Sequence, residues 1–305
     1  MARAPISTAA FLCLLAGACA IAFAPIFVRI ADVGPVASAF WRCALAVPLL
    51  WAWILFSPSP GDRAQLDARG ALSPRGRGEG HSDARILFIA GLLFAADLGV
   101  WHFSIVYTSV ANSTLLANLA PIVVTLAGWL VWRRPVTRTF LAGMVVAITG
   151  MFVLVGPNFA VGGTRLLGDA LGALTALFYG SYLLAVKAAR DAEVPTARLM
   201  AWSTTISALV LLPLALFAPQ PLLPVAAAGW WVLAGLALVT QVIGQGLIAY
   251  AFAHLPASLS AVSLLLQPVM AALFAWALFG EAIGPAQLAG GAIVLAGIWL
   301  ARKGS

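Results

Sequence analysis

Charged residues are scarce in this 305-residue sequence. Asp, Glu, Lys and Arg together make up 9% of it, whereas 63% is hydrophobic. A soluble domain is typically about 25% charged and about 45–50% apolar. A soluble fold of this length could not hide so much apolar surface. The composition therefore excludes an ordinary soluble domain and indicates a protein whose exterior faces lipid.

Cysteine is also rare. Cys13, Cys19 and Cys43 lie in apolar runs, and no CxxC pair occurs. Zinc sites and disulfide frameworks need closely spaced or even sets of cysteines. We therefore predict no metal site and interpret these cysteines as small packing residues.

Sequence motifs of enzymes are absent. No P-loop, GxSxG, HExxH or paired-carboxylate pattern is found, so we predict no cofactor, no ATP hydrolysis by the chain itself and no enzymatic activity. The alternative is an integral-membrane enzyme acting on lipid. Such an enzyme would gather acids and histidines at one interface, whereas Asp97, His102 and His254 are scattered along the chain.

Long apolar runs fill most of the sequence. A hydrocarbon core about 30 Å thick needs about 20 helical residues, and barrel strands would be shorter and would alternate. We therefore predict an all-α integral membrane protein with ten transmembrane helices, at 7–28, 35–56, 85–107, 110–132, 138–156, 166–187, 196–217, 227–250, 257–279 and 285–301.

The positive charges predict the orientation of these helices. With the N-terminus inside, fourteen of the 17 Lys and Arg residues fall on the cytoplasmic side, leaving Arg29, Arg42 and Arg165. Because Lys and Arg collect in cytoplasmic loops, we predict that both termini are cytoplasmic and that the protein lies in the inner (plasma) membrane. The charges serve several separate loops, which argues against nucleic-acid binding.

Two hydrophilic features need interpretation. Residues 57–84 hold Arg63, Arg69, Arg75 and Arg77 with several Gly and Pro, so we predict a mobile cytoplasmic loop. Arg3 before an apolar stretch is also compatible with a signal peptide. We favour a first transmembrane helix because an internal repeat requires it.

The repeat relates residues 111–153 to 258–300 at an offset of 147. Pro, Trp and two Gly recur at fixed spacing, as Pro121, Trp129, Gly143 and Gly150, then Pro268, Trp276, Gly290 and Gly297. The unit has five helices, so its two copies, predicted at 1–157 and 158–305, must be inverted. Inverted repeats are typical of transporters, whose substrate site lies at the repeat interface near the midplane.

Pro121 and Pro268 fall about half-way along their helices. A mid-helix proline frees a carbonyl and weakens the helix, which is tolerated in membranes where the break faces protein or a cavity. The pair is either a gating element or an ordinary kink.

These features resemble the EamA type of the drug/metabolite transporter superfamily. The resemblance is carried by the ten spans, the two five-helix halves, Pro121 with Leu141-Ala142-Gly143, and Pro268 with Glu281 and Leu288-Ala289-Gly290. The chain is similar within it to bacterial amino-acid exporters of the YddG branch. The resemblance implies a secondary transporter that exports amino acids and related small metabolites by alternating access. The sequence departs from the family's pattern at Arg134, where the acidic residue matching Glu281 is expected.

Charges inside a span are costly and suggest function. Asp97 shares a helical face with Trp101, Ser104 and Thr108, and we expect this face to look into the bundle. Asp97 either carries a coupling proton, binds a substrate ammonium or is a structural carboxylate. Arg42 either pairs with Asp97, attracts a substrate carboxylate or extends to the headgroups.

Aromatic and neutral polar residues complete the predicted cavity. Trp101 is either a wall of the cavity or a core residue, and Trp202 is either a wall of the cavity or a membrane-belt residue. His102 is either a proton carrier or a packing residue. Buried amides need partners from substrate or protein. The remaining candidates are Asn118, Tyr179, Tyr182, Gln241, Gln245, Ser263 and Gln267.

This set suits a zwitterion or small amphiphile better than a polyanion. We predict a central midplane cavity for amino acids or amphiphilic metabolites in a monomer or weak oligomer embedded in the lipid bilayer. Export of other metabolites or cationic drugs, and a passive channel, are the alternatives.

Overall fold

The computed structural model describes residues 7–56, 79–108, 110–133, 135–155 and 166–305. Most of the loop predicted at 57–84, and Arg134, lie outside the described residues. No strand occurs in the described ranges. They contain ten helices that are long and apolar enough to cross a membrane, which confirms the predicted fold class. These are α1 Thr8–Ile30, α2 Pro35–Phe56, α3 Asp83–Tyr107, α4 Asn112–Leu130, α5 Arg138–Val155, α6 Leu166–Asp191, α7 Thr196–Leu216, α8 Ala227–His254, α9 Ala257–Phe279 and α10 Pro285–Gly304.

Four of the ten helices are interrupted. α1 consists of Thr8–Ile21 and Ala24–Ile30, and α2 of Pro35–Ala44 and Ala46–Phe56. α4 and α9 are broken just before the repeated prolines, where the second segments Ala120–Leu130 and Leu266–Phe279 begin. Pro121 and Pro268 are buried there. A proline in the first turn of a segment removes no helical hydrogen bond, so the prolines mark matching breaks in the two halves.

The eighth helix has a different irregularity. Residues Leu236–Gln245 form a π-helix between Ala227–Gly235 and Gly246–His254. Its backbone lies close to α1, because a Cβ placed on Gly17 would lie 2.9 Å from the Gly244 carbonyl oxygen. Only a residue without a side chain allows this approach.

The closest contact between the halves is a seam of small residues where α5 packs on α10. A Cβ on Gly143 would lie 2.3 Å from Ala301 N, and one on Gly150 would lie 2.5 Å from Val294 N. As the residue number on α5 increases, the number of the residue that it contacts on α10 decreases, so the two helices are antiparallel. Small residues allow this backbone-to-backbone packing in membranes.

The seam also shows the symmetry of the repeat. In the mirrored contacts, a Cβ on Gly290 would lie 2.3 Å from Leu154 N and a Cβ on Gly297 would lie 2.3 Å from Ala147 N. Shifting by the repeat offset of 147 residues turns Gly143–Ala301 into Gly290–Leu154. The antiparallel, exchangeable contacts are those expected of two inverted halves.

The outer surface of the bundle is apolar. Trp129 and Trp276, which the repeat makes equivalent, are 56% and 55% exposed near the ends of α4 and α9. Tryptophan is enriched where lipid meets water. Both residues therefore fit a membrane belt rather than a core.

Candidate functional site

A cavity of about 120 Å³ lies within the bundle, between residues of both halves. It is bordered by the break in α1, by α2, α3 and α4, and by α6, α8 and α9. Eight of the predicted residues line it: Arg42, Asp97, Trp101, Asn118, Tyr179, Gln245, Gln267 and Pro268. The polar residues of separate helices thus meet at one place.

The two charges of the cavity are both buried. Arg42 is 6% exposed and Asp97 is 8% exposed. Neither residue takes part in the ion pairs found among the described residues, which are Arg29–Glu281 and Lys187–Asp191. Because Arg42 is buried, extension to the headgroups is wrong for this residue. The cavity therefore holds one positive and one negative group that are not joined to each other.

Arg42 and Asp97 differ in what fixes them. Arg42 Nε donates to Gln241 Oε1 at 3.1 Å, and the guanidinium carbon lies 5.8 Å from the centre of the Phe94 ring. Across the described part of the chain, no hydrogen bond reaches the Asp97 carboxylate. This carboxylate borders the cavity and is available to a ligand.

The predicted face of α3 is directed toward neighbouring helices. Asp97 and Trp101 line the cavity, while Ser104 Oγ donates to Gly168 O at 2.7 Å and Thr108 Oγ1 donates to Asp169 Oδ1 at 2.7 Å. The two hydroxyls therefore bind α3 to α6. The same face lines the cavity at one end and makes interhelical hydrogen bonds at the other.

Several predicted residues lie behind the cavity instead of lining it. Tyr182 packs on Phe94, with ring centres 4.7 Å apart, and Ser263 donates to the Leu259 carbonyl of its own helix. His102 Nδ1 lies 2.6 Å from Leu98 O, and its ring meets the Trp101 ring edge-on at 4.8 Å. These residues support the wall without facing its space.

Two further predicted residues lie elsewhere. Pro121 is buried in α4 outside the cavity lining. Trp202 is 42% exposed and packs edge-on against Trp51, with ring centres 5.3 Å apart. Its position fits the membrane belt, the second of its two interpretations.

The neutral amides divide into two groups. Gln245 and Gln267 line the cavity. Gln267 Nε2 is buried without a hydrogen bond of normal geometry among the described residues, with the Tyr179 hydroxyl nearby. Gln241 is fully buried and is bonded to Arg42 and Thr204. Gln267 borders the cavity beside the Tyr179 hydroxyl, so it is a candidate ligand contact.

The cavity also contains residues that the sequence prediction did not include. Phe94 and Leu98 share the face of Asp97 at helical spacing, which was a usable signal. Ile21, Ala22, Ala24 and Pro25 belong to the break in α1. Pro25 was the available signal for that break.

A second cavity of about 590 Å³ lies toward the end of the bundle where α6 ends at Asp191 and α8 turns into α9. The central cavity reaches Tyr179, and the second begins at Leu184. Between them α6 packs on α4, since a Cβ on Gly180 would lie 2.7 Å from Val123 Cβ. This close helix contact lies between the two cavities along α6.

A bundle of ten apolar helices with a polar centre defines a multi-pass membrane protein. The model of the EamA-like transporter family matches residues 8–156 and 166–302. The chain belongs to this transporter family, which has two repeated halves. The expected resemblance is thereby confirmed.

Named relatives are similar to most of the chain. A "Probable terminal-alkyne amino-acid exporter" of Streptantibioticus cattleyicolor is 32% identical over 65% of this chain and 66% of its own length. The "Pseudopaline exporter CntI" of Pseudomonas aeruginosa is 25% identical over 71% of this chain and 75% of its own. An "Uncharacterized transporter" of Archaeoglobus fulgidus is 25% identical over 90% and 91%.

A solved crystal structure has the same fold. It superposes with a TM-score of 0.75 at 19% sequence identity, covering 97% of this chain and 98% of that chain. At this identity the similarity concerns the fold alone.

Proposed function

We propose that this protein is a secondary transporter that exports amino acids and related small metabolites. The observation that carries the proposal is a pair of buried, opposite charges, Arg42 and Asp97, which are not joined to each other and line the same cavity. Separate buried charges are costly unless each is paired. A bound zwitterion supplies both partners, its carboxylate for Arg42 and its ammonium for Asp97.

The remaining walls suit a small amphiphilic ligand. Phe94, Trp101 and Tyr179 offer aromatic surface beside Asn118 and Gln267. A cavity of about 120 Å³ is small compared with drug-sized sites of about 300–1,000 Å³. The names of two relatives, an amino-acid exporter and a pseudopaline exporter, support export, and the first of them supports amino acids as the substrate class.

The transport mechanism we propose is alternating access between two inverted halves, 1–157 and 158–305. The seam of α5 and α10 holds the halves together, and the α4–α6 contact at Gly180 and Val123 lies between the two cavities. Opening that contact would join the cavities. The helix breaks before Pro121 and Pro268 are the proposed gating elements, since a broken helix bends at lower cost.

The proposed orientation places both termini in the cytoplasm of an inner-membrane protein. It rests on the fourteen Lys and Arg residues that this arrangement assigns to the inside. The second cavity then faces the cytoplasm, from which an exporter takes its substrate. To test this orientation, Ser305→Cys is prepared, and labelling of the new cysteine is compared in intact and in opened cells.

The test of the function is counterflow of labelled threonine, methionine and phenylalanine in proteoliposomes, with and without a pH gradient. Saturable exchange that unlabelled amino acid competes for is the expected result and distinguishes a carrier from a passive channel. Absence of exchange with every amino acid, from protein that elutes as one folded species, would contradict the proposal.

Asp97 is the proposed site of coupling if the pH gradient drives exchange, with His102 as the neighbouring candidate. Residual exchange by Asp97→Asn should then lose its dependence on pH. A residual exchange that keeps this dependence would exclude Asp97, and the same measurement on His102→Gln tests the histidine.

A second candidate ligand is a cationic drug. Asp97 beside the Trp101 ring is a site that an organic cation alone could occupy. Uptake of a labelled aromatic amine that exceeds amino-acid exchange would favour this candidate over the first.

A further inference from the structure

A polar network behind the central cavity is centred on Gln241. Its Oε1 accepts from Arg42 Nε at 3.1 Å, and its Nε2 donates to Thr204 Oγ1 at 3.0 Å. All three side chains are buried, and they come from α8, α2 and α7. An arginine can only donate, so the amide oxygen must face Arg42 and the amide nitrogen must face Thr204.

The backbone that carries Gln241 is itself fixed. Gln241 lies in the π-helix Leu236–Gln245, whose Gly244 packs against α1 at the backbone of Gly17. Short π-helical segments occur frequently at functional sites. The π-helix that carries Gln241 is thus packed on α1, and the amide itself is bonded to Thr204, so this amide has little freedom to move.

The bond to Gln241 uses the Nε edge of the Arg42 guanidinium and leaves the edge with the two terminal nitrogens free. Among the described residues, the hydrogen bond from Nε is the one that this guanidinium makes. Arg42 borders the cavity with its guanidinium beside the Phe94 ring. The terminal nitrogens of a held arginine form a planar fork that matches a carboxylate.

We infer that Gln241, supported by Thr204, is a positioning residue that aims Arg42 at the carboxylate of the substrate. It thereby sets the preference for amino acids over the corresponding amines. Gln241 does not touch the substrate. The inference rests on the proposed function and deepens it, because it assigns the recognition of one substrate group to a specific network.

The test compares phenylalanine with phenethylamine, which lacks the carboxylate, as competitors in counterflow. Loss of a hydrogen bond to a charged group is worth about tenfold or more in affinity. In Gln241→Leu the inhibition constant of phenylalanine should rise by about that factor, and that of phenethylamine by less than about twofold. Thr204→Val should shift the ratio in the same direction by less.

A matched control is available in the same π-helix. Thr240 is also fully buried, but its hydroxyl donates to Leu236 O of its own helix at 2.7 Å. Thr240→Val removes the same atoms as Thr204→Val and should leave the ratio unchanged. Gln241→Glu keeps an oxygen beside Arg42 but neutralises its charge, so it should shift preference toward phenethylamine.

Equal loss for both competitors in Gln241→Leu would assign Gln241 a merely structural role and overturn the inference. An unchanged ratio in Gln241→Leu and Gln241→Glu would overturn it as well.

A second measurement needs no transported substrate. Phenylglyoxal modifies arginine side chains, and peptide mass spectrometry follows the reaction at Arg42 in the detergent-solubilised protein. Phenylglyoxal reacts with the terminal nitrogens of the guanidinium. Modification should be faster in Gln241→Leu and Thr204→Val than in wild type and Thr240→Val, because a side chain no longer held at Nε can move its terminal nitrogens toward the reagent. Equal rates would overturn the positioning role. If rates differ as expected but wild type exchanges no amino acid, the proposed function fails while the positioning of Arg42 stands.

Discussion

The α5–α10 seam and the central cavity show opposite uses of the space between helices. In the seam, Gly143, Gly150, Gly290 and Gly297 bring two backbones into contact and leave no room for a methyl group. In the cavity, Arg42 and Asp97 remain unjoined around open space. Lipid provides no hydrophobic drive between helices, so close packing holds the halves together. We therefore propose that the seam accounts for stability and the cavity for selectivity.

The largest expected effect is on transport, from Asp97→Asn. In this variant the ammonium group of the bound substrate loses its charged partner. Leaving one charge of a buried pair without its partner costs about 3–5 kcal/mol, so amino-acid exchange should fall by more than about hundredfold. The thermal midpoint in detergent should not fall, because no protein group in the described ranges is bonded to this carboxylate. Asp83→Asn, on the same helix outside the cavity, is the control. Full exchange by Asp97→Asn would contradict the role of Asp97.

A smaller effect is expected in the seam, and on stability. A Cβ on Gly290 would lie 2.3 Å from Leu154 N and 2.7 Å from Gly150 O, so Gly290→Ala must push two backbones apart. Such overpacking typically costs about 1–3 kcal/mol, which should lower the thermal midpoint. Substrate selectivity of the remaining folded protein should be that of wild type.

Gly128→Ala is the control for this change, because no atom lies within 4 Å of the added Cβ. It should keep or slightly raise the midpoint, since alanine favours helix over glycine. Equal midpoints for Gly290→Ala and Gly128→Ala would show that the seam does not hold the halves together.

The smallest expected effect concerns an exposed contact between the same halves. Arg29, at the end of α1, pairs with Glu281 beyond α9, and the side chains are 57% and 48% exposed. Exposed ion pairs contribute about 0–1 kcal/mol. A double-mutant cycle of Arg29→Gln and Glu281→Gln, read as thermal midpoints, should give a coupling within that range. A coupling free energy larger than the cost of Gly290→Ala would show that the exposed ion pair, and not the seam, contributes more to holding the halves together.

The fold was predictable because lipid imposes a simple rule on sequence. Each span needs a run of apolar residues, and the ten predicted runs coincide with α1 to α10 to within a few residues at most ends. The repeated glycines were visible as a pattern. Their contact with each other was not predictable, because hydropathy does not state which helices are neighbours.

The site was predictable in part, for a related reason. Arg42 and Asp97 stand out because charges are rare in apolar spans. The different surroundings of Gln241 and Gln245 could not be predicted, because residues at i and i+4 lie on the same side of a helix. Gln245 lines the cavity, while Gln241, one turn earlier, bonds to Arg42 and Thr204. These two partners come from α2 and α7, and the sequence does not state which helices are neighbours of α8.

The proposal that Arg42 and Asp97 together hold a zwitterion is tested most directly with three analogues of one amino acid. Counterflow of labelled phenylalanine would be competed by phenylalanine, by phenethylamine and by 3-phenylpropionate, which lacks the ammonium group. We predict that phenylalanine competes at least about tenfold better than either analogue, since each analogue leaves one buried charge without a partner. Equal competition by either analogue would contradict a site built from two opposite charges.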